Sequence, residues 1–395
     1  MSTAAATVRP DPFALSEEER TVRDTARGFA LRELSPTVAQ RDEEERYDRA
    51  LFTRMGELGL TAIPYPESYG GAGLSSFAWV LACEEIAAAD MGMAISLSVH
   101  VLAQLCILNH GTDDQRERLL PPMTAGAQLG AFALTEPGAG SDAAALALAA
   151  RRTDDGYALT GTKVWITNAG EADQYIVFAT VDRSRGRDGI TAFVVGRETP
   201  GFRIGSHERK MGIRDSSSAE LVFADALVPE SSRLGAEGEG LKVALGSLAV
   251  GRISIAAACT GLARAALEHA ARYATQRTQF GRPIAEQQMI QAMLADAAVA
   301  VDASRLLTWR AARLRDAGES VGAASSAAKL FASDTAMRVA TDAVQVYGGA
   351  GYSRDNPVER FMRDAKGAQI YEGSNQVQRL IIAQHLIEEI RRSDR

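Results

Sequence analysis

Apolar positions recur along this chain at three different spacings, and each change of spacing predicts a change of architecture. From Ser16 to about Met123 they fall mostly at helical intervals, beginning with Ser16-Glu17-Glu18-Glu19 and including a long apolar stretch from Phe77 to Leu108. Serine ahead of glutamates suits a helix N-terminus, because its hydroxyl can accept from otherwise unpaired backbone N–H groups. The run Pro64-Tyr65-Pro66-Glu67-Ser68-Tyr69-Gly70-Gly71-Ala72-Gly73 predicts a loop between two helical blocks, since proline and glycine deny the backbone regular helix bonding.

Between about Leu129 and Leu234 the runs become short and β-rich: Tyr157 to Leu159, Lys163 to Thr167, Tyr175 to Thr180, Ile190 to Val195 and Ala219 to Phe223. Turn residues punctuate them, as in Asp154-Asp155-Gly156 and Arg187-Asp188-Gly189. With no helical crossovers between the runs, an antiparallel sandwich or barrel is expected over a parallel sheet.

After Gly240 helical spacing returns, and Ile290, Met293, Leu294, Ala297 and Val301 trace one apolar helix face. Helices are expected over about 241–275, 284–318, 322–346, 357–369 and 375–391, with breaks at Phe280-Gly281-Arg282-Pro283 and Gly348-Gly349-Ala350-Gly351. Short connections favour an antiparallel bundle. The reading is a multi-domain α+β chain: an all-α N-terminal domain (1–128), a middle antiparallel β-barrel or sandwich domain (129–238) and a C-terminal four-helix-bundle-like domain (239–395). A length of 395 residues agrees, because it exceeds the roughly 250–300 residues at which single cores stop growing.

Charge and cysteine usage narrow the function classes. A net charge of −7 disfavours broad attraction to nucleic acid or anionic lipid, so neither is expected as a partner. Cys83, Cys106 and Cys259 lack the spacing of a zinc site or a disulfide framework, and the five histidines form no metal-ligand pair. No metal is expected. Met1 to Asp11 has neither the basic start nor the apolar stretch of a secretory signal, and no uninterrupted apolar run approaches membrane-spanning length, which together predict a cytoplasmic protein.

Gly138-Ala139-Gly140-Ser141-Asp142-Ala143 matches the loose dinucleotide fingerprint, but its context does not. Pro137 precedes the glycines, and positions 158 to 166 contain no acid to hold a ribose. A glycine-rich loop can still let backbone N–H groups approach an anion or an aromatic ring, although most such loops are only tight turns.

The longer run Phe132-Ala133-Leu134-Thr135-Glu136-Pro137-Gly138-Ala139-Gly140-Ser141-Asp142 closely resembles the first signature of the acyl-CoA dehydrogenase family. Its companions follow in order: Trp165-Ile166-Thr167-Asn168, Arg277-Thr278-Gln279-Phe280-Gly281, Gln345-Val346-Tyr347-Gly348-Gly349-Ala350-Gly351-Tyr352, and Arg363-Asp364-Ala365-Lys366 leading to Tyr371-Glu372-Gly373-Ser374. The resemblance covers nearly the whole chain, and it implies FAD as cofactor, an acyl-CoA substrate and an electron-transfer flavoprotein as partner.

Site residues carried over by the resemblance fall into three groups. Phe132, Leu134, Thr135 and Ser141 are expected against the flavin, Ser141 also near the substrate, while Trp165, Ile166 and Thr167 flank the isoalloxazine. Arg277, Gln279, Phe280, Gln345, Gly348 and Gly349 are expected to reach the pyrophosphate and adenosine of FAD in a neighbouring subunit, implying a homo-oligomer, in the family usually a tetramer. Gln288, Ser374 and Gln376 complete the implied FAD contacts, and Arg252, Tyr371 and Gly373 join Ser141 as implied substrate contacts.

By itself Glu372 would read as an ordinary solvated glutamate. The resemblance instead implies a catalytic base that removes the α-proton of the thioester while FAD takes a hydride from the β-carbon, leaving a trans-2-enoyl product. Some relatives carry this glutamate just before the arginine matching Arg252, where this chain has Gly251. Small side chains at Ala94 and Ser98, on the expected pocket floor, suggest room for a longer or branched acyl tail. Two alternatives stay open: an acyl-CoA oxidase that uses molecular oxygen, and a catalytically inactive scaffold that keeps the fold.

Overall fold

The computed structural model describes residues 13–394, so the segment read for targeting, Met1 to Asp11, lies outside the described residues. Helix α1 (Glu17–Phe29) starts where the serine predicted it: Ser16 Oγ accepts from Glu19 N, and the Glu19 carboxylate accepts from Ser16 N. Helices α2 (Val38–Glu44), α3 (Arg49–Glu57), α4 (Ser76–Ala89), α5 (Met91–His110) and α6 (Asp113–Thr124) follow, and the predicted loop separates α3 from α4.

Eight strands form the middle sheet: β1 (Gly130–Ala133), β2 (Ala149–Thr153), β3 (Gly156–Thr167), β4 (Gln174–Thr180), β5 (Ile190–Gly196), β6 (Phe202–His207), β7 (Ser218–Pro229) and β8 (Arg233–Leu234). They run in the order β6-β7-β3-β2-β4-β5-β8, with β1 beside β4. Most neighbours are antiparallel, as expected, but β1 pairs parallel with β4 from Gly130↔Gln174 onward, and β2 meets β4 in parallel at Ala149↔Thr180. The two expected runs at 157–159 and 163–167 are one strand, whose pairing with β7 slips between Leu159 and Gly161 and again between Lys163 and Ile166. Such bulges re-aim side chains.

Helix α7 (Gly240–Gln276) is followed by a small hairpin, β9 (Thr278–Gln279) and β10 (Arg282–Pro283), and then by α8 (Gln288–Asp316), α9 (Gly322–Tyr347), α10 (Val358–Ala368) and α11 (Asn375–Ser393). Alanines make the close packing of α7 on α9 possible: Ala328, Ala332, Ala336 and Ala340 are all buried along α9. Helices α5 and α7 are each long and apolar enough to cross a membrane, contrary to the sequence reading, but 94% and 72% of their apolar windows are buried inside the protein. That burial identifies them as core helices of the fold.

One buried node ties the first two layers together. Arg41 on α2 is fully buried and pairs with Asp90 and with Asp215 of the loop before β7, at 2.5 Å each. Asp90 also caps α5 by accepting from Met93 N. Gly92 is required beside it, since a Cβ there would lie 1.9 Å from Asp215 Oδ1.

Candidate active site

The turn between α10 and α11 carries Glu372 in a left-handed conformation, φ +52°, followed by Gly373 at φ +87°. For a non-glycine residue this region costs roughly 1–2 kcal/mol, so neighbours must hold it. They do so through its carbonyls. Gly373 O accepts from Lys329 Nζ (2.9 Å) and Gln378 Nε2 (2.8 Å), and Glu372 O receives long contacts of 3.5 Å from Arg252 Nε and Gln378 Nε2. The Glu372 backbone N–H donates to nothing among the described residues. Sequence reasoning missed Lys329 and Gln378, because no motif marks them.

Glu372 Oε2 is buried with no hydrogen-bond partner. Burial pushes the carboxyl up to about 7, against the opposing pull of the Arg252 and Lys329 charges. Directly opposite stands Gly251, where a Cβ would lie 2.6 Å from Oε2. Arg252, an implied substrate contact, is buried beside the turn, and burial lowers its own proton affinity. The Tyr371 hydroxyl is also buried without a partner, and Ser374 Oγ caps α11 by accepting from Val377 N. Gln376 is exposed on the first turn of α11.

Gly251 also lines a small chamber with Tyr65, Trp79, Ser98, Leu102 and Ser254, about 20 Å³ in volume. A water needs ~10–15 Å³ on this measure, so the chamber takes about one small group. Trp79 Nε1 donates to Ser254 Oγ (2.8 Å), and the Tyr65 hydroxyl donates to Val101 O, so both rings are fixed in place. With Ser98 they line the chamber, whose small volume does not match the long tail that small residues at Ala94 and Ser98 had suggested. Ala94 is buried and does not line the chamber.

The first signature is pinned to β3 by a buried ion pair. Lys163 Nζ donates to Leu134 O (2.9 Å) and Glu136 Oε1 (2.7 Å), while the Glu136 carboxylate accepts from Ala147 N and Leu148 N. Burial lowers Lys163 to about 8 despite its partner. Two residues on, Trp165 sits in the second slip of β3 at φ +60°, leaving 59% of it exposed. Thr135 and Thr167 are part-buried, Phe132 packs at 4.9 Å on Phe178, and Ser141 is exposed. The side chains of Ile166 and Leu134 are buried.

A separate cleft of about 550 Å³ opens beside the β9–β10 hairpin, lined by Tyr273, Arg277, Gln279, Phe280, Gln287, Tyr347, Gly348 and Gly349 among others. Tyr273 and Tyr347 stack at 4.0 Å with 14° between their planes. Phe280, at the hairpin tip, is 95% exposed. Gln287 lines the cleft, while Gln288, the first residue of α8, and Gln345 are exposed without lining it. None of Thr135, Trp165 or Glu372 lines this cleft.

Known proteins share this arrangement. Sequence profiles of the N-terminal, middle and C-terminal domains of acyl-CoA dehydrogenase match residues 16–127, 131–226 and 238–387. The chain belongs to the acyl-CoA dehydrogenase family. It is 46% identical over 374 residues to an acyl-CoA dehydrogenase of Bacillus subtilis, covering 94% of this chain and 99% of that protein. It is 45% identical over 378 residues to the mitochondrial short-chain specific acyl-CoA dehydrogenase of Bos taurus, covering 95% and 92%. Butyryl-CoA dehydrogenase from Megasphaera elsdenii superposes with a TM-score of 0.94 at 44% identity, covering 95% of this chain and 100% of that one. A chain from a structural study of the electron transferring flavoprotein of Acidaminococcus fermentans also gives 0.94, at 46% identity and coverage of 95% and 99%.

Acyl-CoA dehydrogenases are FAD-dependent oxidoreductases, and this member has residues that fit the cofactor. The Arg277 guanidinium suits a diphosphate, the stacked Tyr273 and Tyr347 rings and the bare Gly348–Gly349 backbone border a cleft wide enough for a nucleotide, and exposed Trp165 offers an aromatic face to a flavin. These two sets of residues do not share a pocket within one chain.

Proposed function

We propose that this acyl-CoA dehydrogenase acts on short acyl chains, with Glu372 as the base that removes the α-proton of the thioester. The observation that carries the assignment is a buried, unpartnered Oε2, on a carboxyl raised to about 7, in a turn whose Gly373 carbonyl is held by Lys329 and Gln378. A general base works best when its pKa lies near the working pH. The unpaired Glu372 N–H is free to donate to a thioester oxygen as negative charge develops there. Bound FAD supplies acceptance of the hydride from the β-carbon. Arg252 and Lys329 steady the turn that directs the carboxylate.

The small chamber beyond Gly251, closed by Trp79 and Tyr65, supports a short tail, and relatives named short-chain specific support it independently. An electron-transfer flavoprotein is the proposed electron acceptor, supported by the likeness to the chain from the Acidaminococcus fermentans study. A homo-oligomer is proposed because the cleft and the flavin-facing residues lie in separate places on one chain, which two chains meeting across one FAD would join, and the family resemblance extends this to a tetramer. A cytoplasmic location is proposed on the three buried, unpaired cysteines.

The deciding experiment is anaerobic mixing of purified protein with butyryl-CoA while flavin absorbance is followed. Wild type bleaches, whereas Glu372→Gln keeps its flavin and binds the thioester without bleaching. Bleaching by the Gln variant at the wild-type rate would remove Glu372 from its role.

A further inference from the structure

Lys329, on α9, is 0% exposed, yet no carboxylate lies within ion-pairing distance of it among the described residues. Its ammonium makes two hydrogen bonds, to Gly373 O and to Asn375 Oδ1, each 2.9 Å. The Asn375 amide is oriented in turn, donating to Ser333 Oγ (2.9 Å) and Asp334 Oδ1 (2.7 Å). Burying a cation without a paired anion is expensive, and packing alone would be served by an apolar residue among Ala328, Ala332 and Ala336. The cation is spent on a turn where two consecutive residues, Glu372 and Gly373, are left-handed and from which the carboxylate projects.

We propose that Lys329 is a positioning residue for the reaction, resting on Glu372 as base: its ammonium fixes the Gly373 carbonyl and so sets the direction of the Glu372 carboxylate. Its charge also acts at a distance. The titratable groups that act on or feel the carboxylate are Arg252 from α7, Cys83 from α4, Lys329 from α9 and neighbouring Tyr371, while Cys259 from α7 and Asp334 from α9 act on Lys329. Of these, Arg252 and Lys329 favour the ionised carboxylate. Burial lowers Lys329 itself to about 8, just above the value of about 7 at Glu372. An ionised base and a charged clamp therefore coexist in a narrow window, giving a two-limbed pH profile whose macroscopic midpoints belong to the pair.

The test uses the flavin-loaded enzyme in wild-type, Lys329→Arg, Lys329→Gln and Glu372→Gln forms. Two readouts are taken across pH: the rate of anaerobic flavin bleaching by butyryl-CoA, and the infrared carboxyl band that Glu372→Gln abolishes. In wild type, bleaching rises through about pH 7 and falls above about pH 8. Lys329→Arg keeps the first limb and loses the second, since guanidinium stays charged. Lys329→Gln moves the infrared midpoint up by about one unit, so bleaching at pH 6 falls roughly tenfold. An unmoved infrared midpoint in Lys329→Gln, or a falling alkaline limb that persists in Lys329→Arg, overturns the proposal. Should Lys329→Gln fail to hold flavin, the alkaline limb of Lys329→Arg decides alone. Bleaching that survives in Glu372→Gln would instead sink the base assignment, whatever Lys329 does.

Discussion

Gly251 and Glu372 stand so close that a single methyl group on the glycine would lie 2.6 Å from the carboxylate oxygen of the glutamate. The two positions thus compete for one volume. The glutamate that some relatives carry at the first position would occupy the space the second uses here.

Gly251→Ala should therefore disable the enzyme without unfolding it. Displacing a reacting group by ~1 Å can cost about 10²-fold in rate, so kcat should fall by about that factor while flavin content stays normal. Steady-state kinetics with butyryl-CoA and the visible spectrum of the variant check both halves.

Stability should carry the signature of the raised Glu372 carboxyl. Below its unfolded value, 4.5, both states are protonated and nothing is lost; as pH climbs toward about 7 the unfolded chain ionises first and folding weakens; above that the penalty is constant. Glu372→Gln should consequently melt higher than wild type at pH 8 and level with it near pH 4. Calorimetry that finds no difference at pH 8 would contradict the burial of this charge.

Trp79→Phe should lengthen the accepted acyl chain. The smaller ring opens the chamber beyond Gly251, and the lost Trp79–Ser254 hydrogen bond costs about 0.5–1.5 kcal/mol of stability. The ratio of kcat/KM for octanoyl-CoA over butyryl-CoA is expected to rise by roughly tenfold, since each methylene in a hydrophobic pocket is worth ~1–3 kcal/mol.

Lys163→Met should loosen the flavin. It leaves Glu136 buried without its cation, a loss of about 3–5 kcal/mol, and frees the loop that follows Leu134. Denaturant unfolding should show the lower midpoint, and gel filtration should strip FAD that wild type retains.

Much of this was legible in the sequence, and the parts that were not share a cause. Helices α7 to α11 follow the periodicity within a few residues, because an amphipathic or alanine-rich face is a local property. Strands β2 and β6 gave no signal: Ala149-Ala150-Arg151-Arg152-Thr153 is a poor strand former, and it is a strand because the turn after Thr153 folds it antiparallel onto β3. Gly161 looked like a gap between two strands and proved to be a bulge, one slip before the second that turns Trp165 outward. Glu372 was found through its motif, but Lys329 lies 44 residues from the carbonyl it holds, and nothing in its neighbours along the chain announces that partnership. The burial of Ile166 and Leu134 and the exposure of Gln288 were not legible either, because the strand pleat and the start of α8 determine them.

The guanidinium of Arg41 answers to one acid from the helical layer and another from the segment leading into the last long strand. Cutting the chain between those layers would strand charge on both pieces, so neither should be obtainable as a free-standing fragment. What reads in sequence as three modules in a row should melt, at least across that junction, as one.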